Sequence, residues 1–161
     1  MGKGKNSGFL DFLSEKHAFS HFEVKYFNNQ KKKIIITLKR TGATASCPGC
    51  GMRCSPAGYV RRSVRDLDLI KRCYIEFGQA KIRCRCGYRG VERLDFVGER
   101  TPCTRRFAEQ FVAFTNATTT RNAAKIFGVD GRMADDIETG YFLEAVDGKR
   151  LLGMTQRWRD L

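Results

Sequence analysis

Four of the seven cysteines stand in two close pairs, Cys47-x-x-Cys50 and Cys84-x-Cys86, separated by thirty-three residues. Four thiolates are the ligand set of a tetrahedral structural Zn²⁺ site, which leaves no coordination position open for catalysis. The odd cysteine count, and an N-terminus without the apolar segment of a signal peptide, argue for a metal and against a disulfide framework. The sequence therefore predicts one structural Zn²⁺ on Cys47, Cys50, Cys84 and Cys86.

The residues around the first pair favour a zinc knuckle, a tight turn whose backbone amides point at the metal-bound sulfurs. Pro48 pre-sets the turn, and Gly49 and Gly51 let the backbone adopt it. The second pair is tighter than the usual CxxC, so two alternatives stay open. Either Cys54 replaces Cys86 as the fourth ligand, or one of the pairs consists of free thiols. The cysteines expected in the apolar core are Cys73 and Cys103.

The residues between the pairs are predicted to form the strands that carry these turns. Tyr59–Ile70 is extended and charged, and from Cys73 to Cys84 apolar residues alternate with polar ones. The alternation changes phase after Gly78, which predicts a β-bulge at that residue. Strands that end in two metal-binding turns make a zinc ribbon, in which the metal stabilises a short β segment.

The N-terminal part is predicted to contain a helix and a β-hairpin. Phe9–Phe22 has a loosely helical spacing of apolar residues. Phe22–Phe27 and Ile34–Leu38 are predicted strands, joined by a polar turn at Asn28–Lys31. The cluster Lys31–Lys33 is interpreted as the solvated tip of this hairpin.

The last third of the chain is predicted to be helical. Three helices are expected, one opening at Pro102, one over Arg121–Phe127 and one over Arg132–Val146. Thr118–Thr120 supplies N-cap candidates for the second helix. Gly128 stands where the turn between the second and third helices needs a positive φ angle.

Residues 120–139 fit the twenty-residue pattern of a DNA-binding helix-turn-helix. The small Ala124 stands where its two helices touch, and the apolar positions between them are filled by Ala123, Phe127, Val129, Ala134 and Ile137. The outward positions of the third helix are Arg132, Asp135, Asp136 and Thr139, with Glu138 nearby. Acidic side chains repel phosphates, so this helix is either a major-groove reader or a packing or partner surface.

The charge of the chain indicates a polyanionic partner. Lys and Arg number 30 against 17 Asp and Glu, a formal net charge of +13. The excess lies in the first two thirds: residues 1–50 carry +6, residues 51–110 carry +7 and residues 111–161 carry none. Nucleic acid, DNA in preference to RNA, is the expected partner. No run of eighteen apolar residues is present, so no membrane span is expected, and nothing predicts a small-molecule substrate.

The expected nucleic-acid contacts are basic and amide side chains of the ribbon and of the helices. They are Arg61, Arg62, Arg65, Lys81, Arg83, Arg85, Arg89, Arg105, Arg106, Arg121, Asn122, Lys125 and Arg132.

The order of these motifs resembles the N-terminal part of ISL3-type transposases. CPGCG is followed by GYVRRSVRDLDLI, then by a strand ending in KIRCRCG, and then by helices containing AAKIFGVD, over roughly Val24 to Phe142. The resemblance implies a zinc ribbon and helix-turn-helix that recognise transposon-end DNA, with zinc on the four paired cysteines and DNA contacts from the Arg-rich arm and the helices. The family's RNase H-like catalytic domain is expected to be absent, because only fifteen residues follow Val146.

Together these observations predict an α+β chain: a flexible basic tail at residues 1–8, a β-rich zinc-ribbon domain at 9–100, a helix-turn-helix domain at 101–146 and a tail at 147–161. The predicted function is a non-catalytic, transposase-derived or regulator-like DNA-binding protein of the cytoplasm, nucleoid-associated in a prokaryote. The alternative is a structural or adaptor subunit of a protein or ribonucleoprotein assembly, whose protein partner binds the helical half and the C-terminal tail. An active transposase or nuclease is not expected, since Asp135, Asp136 and Asp147 lie on or beside one helix.

Overall fold

The computed structural model describes residues 19–68, 71–98 and 101–141 and has a mixed α+β fold. The described residues fall into two compact units, divided between Phe96 and Val97. The first unit is built on a multi-stranded sheet and the second on helices. The predicted tails, residues 1–8 and 147–161, lie outside the described residues.

An antiparallel hairpin opens the sheet. Strand β1 (Phe22–Asn29) pairs with β2 (Lys33–Arg40), with a bulge between Val24 and Tyr26. Both strands were predicted and are confirmed, although β1 extends further than predicted and the turn is correspondingly shorter. The predicted helix over residues 9–22 is wrong at its end, because Phe19 precedes a turn and Phe22 begins β1. Its remaining residues, 9–18, lie outside the described part of the chain.

Two further long strands complete the main sheet. β5 (Tyr59–Asp66) pairs antiparallel with β6 (Arg72–Arg83), and β6 pairs parallel with β2, giving the order β1-β2-β6-β5. One face of this sheet carries the buried apolar side chains, among them Ile34, Ile36, Val64, Cys73, Ile75 and Phe77. Burial of these side chains is the main favourable contribution to the stability of this unit.

The first half of strand β6 buries its side chains on one face of the sheet, and the second half buries them on the opposite face. Ile75 and Phe77 point into the sheet core, whereas Ala80 and Ile82 belong to a separate buried cluster with Ala45 and Cys47. The pairing of β5 with β6 runs without a break from Tyr59↔Ala80 to Asp66↔Cys73. The predicted bulge at Gly78 is therefore wrong: the phase of the sequence changes because the covered face changes, since side chains of a regular strand alternate between faces.

Three short strands surround the cysteine pairs. β3 (Ala45–Ser46) and β4 (Arg53–Cys54) form a two-stranded hairpin around the first pair. β7 (Arg89–Val91) folds back on the end of β6 around the second pair, with Arg83 opposite Arg89.

The second unit contains three helices in its described residues. α1 (Arg105–Thr115) is capped by Thr104, so it begins after Pro102, where the sequence had placed its start. α2 (Thr120–Phe127) is capped by the predicted Thr119, whose side chain accepts a hydrogen bond from the Asn122 N–H. α3 covers residues 131–141, and the predicted remainder to residue 146 lies outside the described residues.

The turn between α2 and α3 has the predicted geometry at its glycine. Gly128 ends α2 with φ 61° and ψ 40°, the left-handed conformation that favours glycine. Asp130 caps α3 by accepting the N–H of Met133 at 2.8 Å. The apolar positions predicted between the helices are filled as expected: Ala123, Ala134 and Ile137 are buried and Phe127 and Val129 are partly buried.

Candidate metal centre and basic surfaces

The four paired cysteines converge on one point. The Sγ atoms of Cys47, Cys50, Cys84 and Cys86 all lie within 4.8 Å of one another. Cys47 Sγ is 3.7 Å from Cys86 Sγ, and Cys50 Sγ is 3.6 Å from Cys84 Sγ. Tetrahedral coordination with metal–sulfur bonds of about 2.3 Å separates the sulfurs by about 3.8 Å, so the set fits a tetrathiolate metal site.

The first cysteine turn is shaped by its glycines. Gly51 has φ 74°, and its N–H donates to the Cys47 carbonyl at 2.8 Å. The Gly49 N–H points at Cys47 Sγ at 3.4 Å. A Cβ on Gly49 would lie 3.3 Å from Tyr88 Cβ and 3.6 Å from Cys86 Sγ, so glycine lets the two cysteine turns approach each other.

The second turn repeats this arrangement in fewer residues. Gly87 has φ 92°, and its N–H donates to the Cys84 carbonyl at 3.0 Å. The Cys84 N–H donates to the Tyr88 carbonyl, also at 3.0 Å. The left-handed glycine allows a CxC spacing to bring both sulfurs to one side of the turn.

Each sulfur receives a hydrogen bond from the backbone two residues further on. The hydrogen bond from the Cys86 backbone lowers the pKa of the Cys84 thiol. Hydrogen bonds with the neighbouring cysteines lower it too, and the resulting pKa is about 6 against the usual 9.0. The Met52 backbone bond lowers the pKa of Cys50, but hydrogen bonds with Cys84 and Cys86 outweigh it and raise the value to about 12. The Tyr88 backbone bond acts on Cys86 in the same way, and its pKa is also raised. A metal ligand must be a thiolate, so a bound metal would displace the protons of Cys50 and Cys86.

A small apolar layer supports the candidate metal site. Ala45, Cys47, Ala80 and Ile82 are its buried members, and Cys54, Cys84 and Tyr88 pack against it. The Tyr88 hydroxyl donates to the Val91 carbonyl at 3.0 Å, which fixes the ring over the second turn. The sequence did not single out Tyr88; its position directly after CxCG was the available signal.

The other three cysteines lie outside the four-sulfur group. Cys54 Sγ donates to the Met52 carbonyl at 3.4 Å, so the alternative that places it in the ligand set instead of Cys86 is not the arrangement found. Cys73 and Cys103 are buried, as predicted. All seven cysteines are free of disulfide bonds.

Basic side chains cover the face of the β6–β7 hairpin that points away from the four-cysteine group. Lys81 and Arg83 alternate with the buried Ala80 and Ile82, and Arg89 lies opposite Arg83 in the pairing register, so all three project to the same side. Each of them is exposed, as is Arg85 in the turn.

The arginines of β5 differ from one another in their surroundings. Arg61 is 84% exposed and forms an ion pair with Glu76 at 2.8 Å. Arg62 donates to Gln79 Oε1 at 3.0 Å. Arg65 is only 4% exposed and pairs with Asp68 at 2.7 Å, with its guanidinium over the Tyr74 ring. Its burial makes Arg65 unsuited to the phosphate contact expected of it.

The basic residues of the helical unit are mostly exposed. Arg105, Arg121, Asn122, Lys125 and Arg132 are exposed, and Arg106 is half-buried. Two acidic residues of α3, Asp135 and Asp136, are exposed as well. Glu138 is engaged within the unit, because its carboxylate accepts the Thr120 hydroxyl at 2.9 Å.

Comparison of the chain with known protein families, curated protein sequences and solved structures gives no significant match. Within the described residues, no helix combines the length and apolar character needed to cross a bilayer.

Proposed function

We propose that the chain is a non-catalytic, zinc-containing protein that binds duplex DNA. In this proposal the two cysteine turns with β5, β6 and β7 form a zinc ribbon, and Zn²⁺ is held by Cys47, Cys50, Cys84 and Cys86. Zn²⁺ supplies no reaction here, since four thiolates close its coordination shell. The metal fixes the end of β6, and β6 carries the side chains that contact DNA.

The observation that carries the proposal is the one-sided basic face of the β6–β7 hairpin. Lys81, Arg83 and Arg89 project together from a strand pair whose other side is held by the metal centre. Residues 19–96, the described part of the first unit, contain 17 Lys and Arg against 6 Asp and Glu, so they carry +11 of the net charge of +13. A rigid surface of this charge binds phosphates and releases counterions.

The helical unit supplies a second type of contact in the proposal. α2, the left-handed Gly128 and α3 are taken as a helix-turn-helix, with Arg121, Asn122 and Lys125 contacting phosphates and Arg132 at the start of α3. Exposed Asp135 and Asp136 leave the amino groups of cytosine and adenine as the base-edge groups that α3 can contact, since these donate to carboxylates.

The order of motifs that resembles ISL3-type transposases supports a DNA-binding role of the same kind. We propose a transposase-derived or regulator-like role in which DNA binding is kept and strand cleavage is not performed by these residues. Asp135 and Asp136 are exposed and adjacent on one helix, so their carboxylates diverge instead of converging on a metal.

The proposal is tested by two double variants that remove equal charge. Arg83→Ala with Arg89→Ala removes two charges from the hairpin face, and Lys31→Ala with Lys32→Ala removes two exposed charges from the β1–β2 turn. We expect duplex affinity to fall at least about tenfold in the first variant and about twofold or less in the second, with zinc content unchanged in both. Equal losses of duplex affinity in the two variants would mean that binding depends on net charge alone and not on the hairpin face.

A structural or adaptor role is the second candidate, favoured by the apolar surface of the helical unit. Ile126 is 65% exposed on α2 and Phe114 is 40% exposed on α1. Large exposed apolar side chains are typical of contact surfaces between proteins. Retention of the chain in a defined complex at high salt, lost in Ile126→Ser, would favour this role over DNA binding.

A further inference from the structure

Within the described residues, part of the main-sheet face opposite the apolar core is left uncovered. The pairing register places Tyr26, Thr37, Glu76 and Ser63 side by side across the four strands on this face. Tyr26 and Ser63 are exposed, and Thr37 and Glu76 are half-buried, as expected for central strands without a covering layer. Further along β6 the same face is covered by the candidate metal site, where Ala80 is buried.

A cleft of about 220 Å³ opens on this face where β2 and β6 separate. The parallel pairing of the two strands ends at Thr37↔Glu76, which leaves a gap beyond that point. The cleft is lined by Thr37, Leu38, Arg61, Glu76, Phe77 and Gly78.

Gly78 keeps the cleft open, and an aromatic ring stands beside it. A Cβ on Gly78 would make only ordinary contacts, at 3.8 Å from Tyr59 Cβ and Cδ1. The Tyr59 side chain, which is 54% exposed, therefore lies next to the cleft. Glycine in the interior of a strand reduces stability, so the presence of glycine at position 78 needs an explanation. Room for a ligand supplies one.

The groups around the cleft match the chemistry of a single unpaired base. Drug-sized ligands need about 300–1,000 Å³, so this cleft accepts a smaller, flat group. The Tyr59 ring, beside Gly78, provides a stacking partner, while the side chains of Leu38 and Phe77 belong to the core beneath the cleft. The Glu76 carboxylate is an acceptor for an exocyclic amino group, while the Arg61 guanidinium, 2.8 Å from it, is placed for a phosphate.

The charge of the surroundings favours a base that belongs to a nucleic-acid strand over a free small molecule. The cleft lies within residues 19–96, which carry +11, and Lys25 and Lys33 lie over the rings of Tyr26 and Tyr74 on the same sheet. A base stacked inside a duplex cannot enter a cleft on a sheet, whereas splayed bases of a single strand can.

We propose that the open sheet face is a binding surface for single-stranded nucleic acid, with one amino-bearing base in the cleft between Thr37, Glu76 and Gly78. Lys81, Arg83 and Arg89, the residues assigned to duplex binding, project from the other face of β6. The two surfaces are therefore separable, and this proposal does not depend on duplex binding.

The test uses Gly78→Val in the zinc-loaded full chain, because valine suits a strand and fills the cleft without backbone strain. Ser46→Val, an exposed strand position in the first cysteine turn, is the matched control. The probes are labelled homo-oligomers of about twelve nucleotides, cytidine or thymidine as DNA and cytidine or uridine as RNA, and a random duplex. Anisotropy titration gives the affinities, and thermal unfolding with zinc content checks the fold.

We expect the cytidine oligomer to bind at least about tenfold more tightly than the thymidine or uridine oligomer, which has no exocyclic amino group. Gly78→Val should abolish this difference and weaken single-strand binding at least about tenfold, while duplex affinity stays within about twofold. The DNA and RNA arms show which sugar is preferred. Equal single-strand affinity in Gly78→Val, Ser46→Val and the unaltered chain would overturn the proposal, whatever the duplex result.

Amide chemical shifts of the unaltered chain provide a second readout if Gly78→Val does not fold. The cytidine oligomer should shift resonances of residues 59–61 and 76–78 more than those of residues 83–89. The reverse pattern would place the strand on the hairpin face and refute the assignment.

Discussion

Gln79 and Ala80 are consecutive residues of β6, and both are buried on opposite faces of the strand, at 7% and 0% exposure. Glu92 holds them both: its carbonyl accepts Gln79 Nε2, and its carboxylate accepts the Ala80 N–H, each at 2.8 Å. At this point the strand passes from the core of the main sheet to the layer beneath the metal centre. The two cysteine turns are thereby continuous with the sheet.

The buried ion pair of Glu92 should contribute far more to the free energy of unfolding than the exposed ion pair beside it. Arg40 pairs with Glu92, with side chains 8% and 4% exposed, and the adjacent Lys39 pairs with Glu23 at 59% and 53%. Glu92→Gln should destabilise the chain by about 3–5 kcal/mol, because it leaves a buried guanidinium uncompensated. Glu23→Gln should cost at most about 1 kcal/mol. Urea unfolding of both variants makes the comparison, and similar losses would contradict the assignment of Glu92.

Metal content should follow the four-sulfur group. Cys47→Ser or Cys84→Ser should reduce bound zinc well below one ion per chain, whereas Cys54→Ser should keep it, because Cys54 lies outside the group. Metal analysis after dialysis measures the stoichiometry. Full zinc retention in Cys84→Ser, or its loss in Cys54→Ser, would show that a different set of ligands is used.

Proton release on zinc binding should depend on pH in a defined direction. Zinc binds thiolates, so every protonated ligand must lose its proton and affinity rises with pH. The pKa of Cys84 is about 6, so this thiol is ionised at pH 7 and protonated at pH 5. Binding at pH 5 should therefore release about one proton more than binding at pH 7. Calorimetry in buffers of different ionisation enthalpy measures the number; an unchanged number would contradict an ionised Cys84.

The cap of α2 offers a matched pair of threonines. Thr119 accepts the backbone N–H of Asn122, whereas the neighbouring Thr118 accepts only its side-chain amide, at 3.4 Å. Thr119→Ala should cost about 1 kcal/mol through the loss of an N-cap, and Thr118→Ala a few tenths. Thermal unfolding followed by circular dichroism distinguishes them. Equal effects would mean that the cap contributes nothing specific.

Local signals predicted much of this molecule. The alternation of β2, β5 and β6, the capping threonine and the left-handed Gly128 follow from residue types acting within a few positions. The convergence of Cys47 and Cys50 with Cys84 and Cys86 was also predictable, because cysteine pairs at such spacing have few functions other than metal binding.

Properties set by distant parts of the chain were not predictable. The change of phase after Gly78 was interpreted as a bulge because the sequence shows which residues alternate, but not which face is covered. Arg65 reads as a solvated arginine in an Arg-rich strand, yet it is buried against Tyr74 and Asp68. Glu92 gave no signal at all, since its role requires Arg40 and the Ala80 N–H, which lie on other strands.

The most direct test of DNA binding is the affinity of the zinc-loaded chain for random duplex DNA across a salt series. If Lys81, Arg83, Arg85 and Arg89 neutralise phosphates, log affinity should fall against log salt with a slope of about −3.6 or steeper. Replacing Arg83 and Arg89 by alanine should then reduce the slope by about 1.8. Weak binding with a shallow slope, unchanged by that replacement, would contradict the account and favour a protein partner.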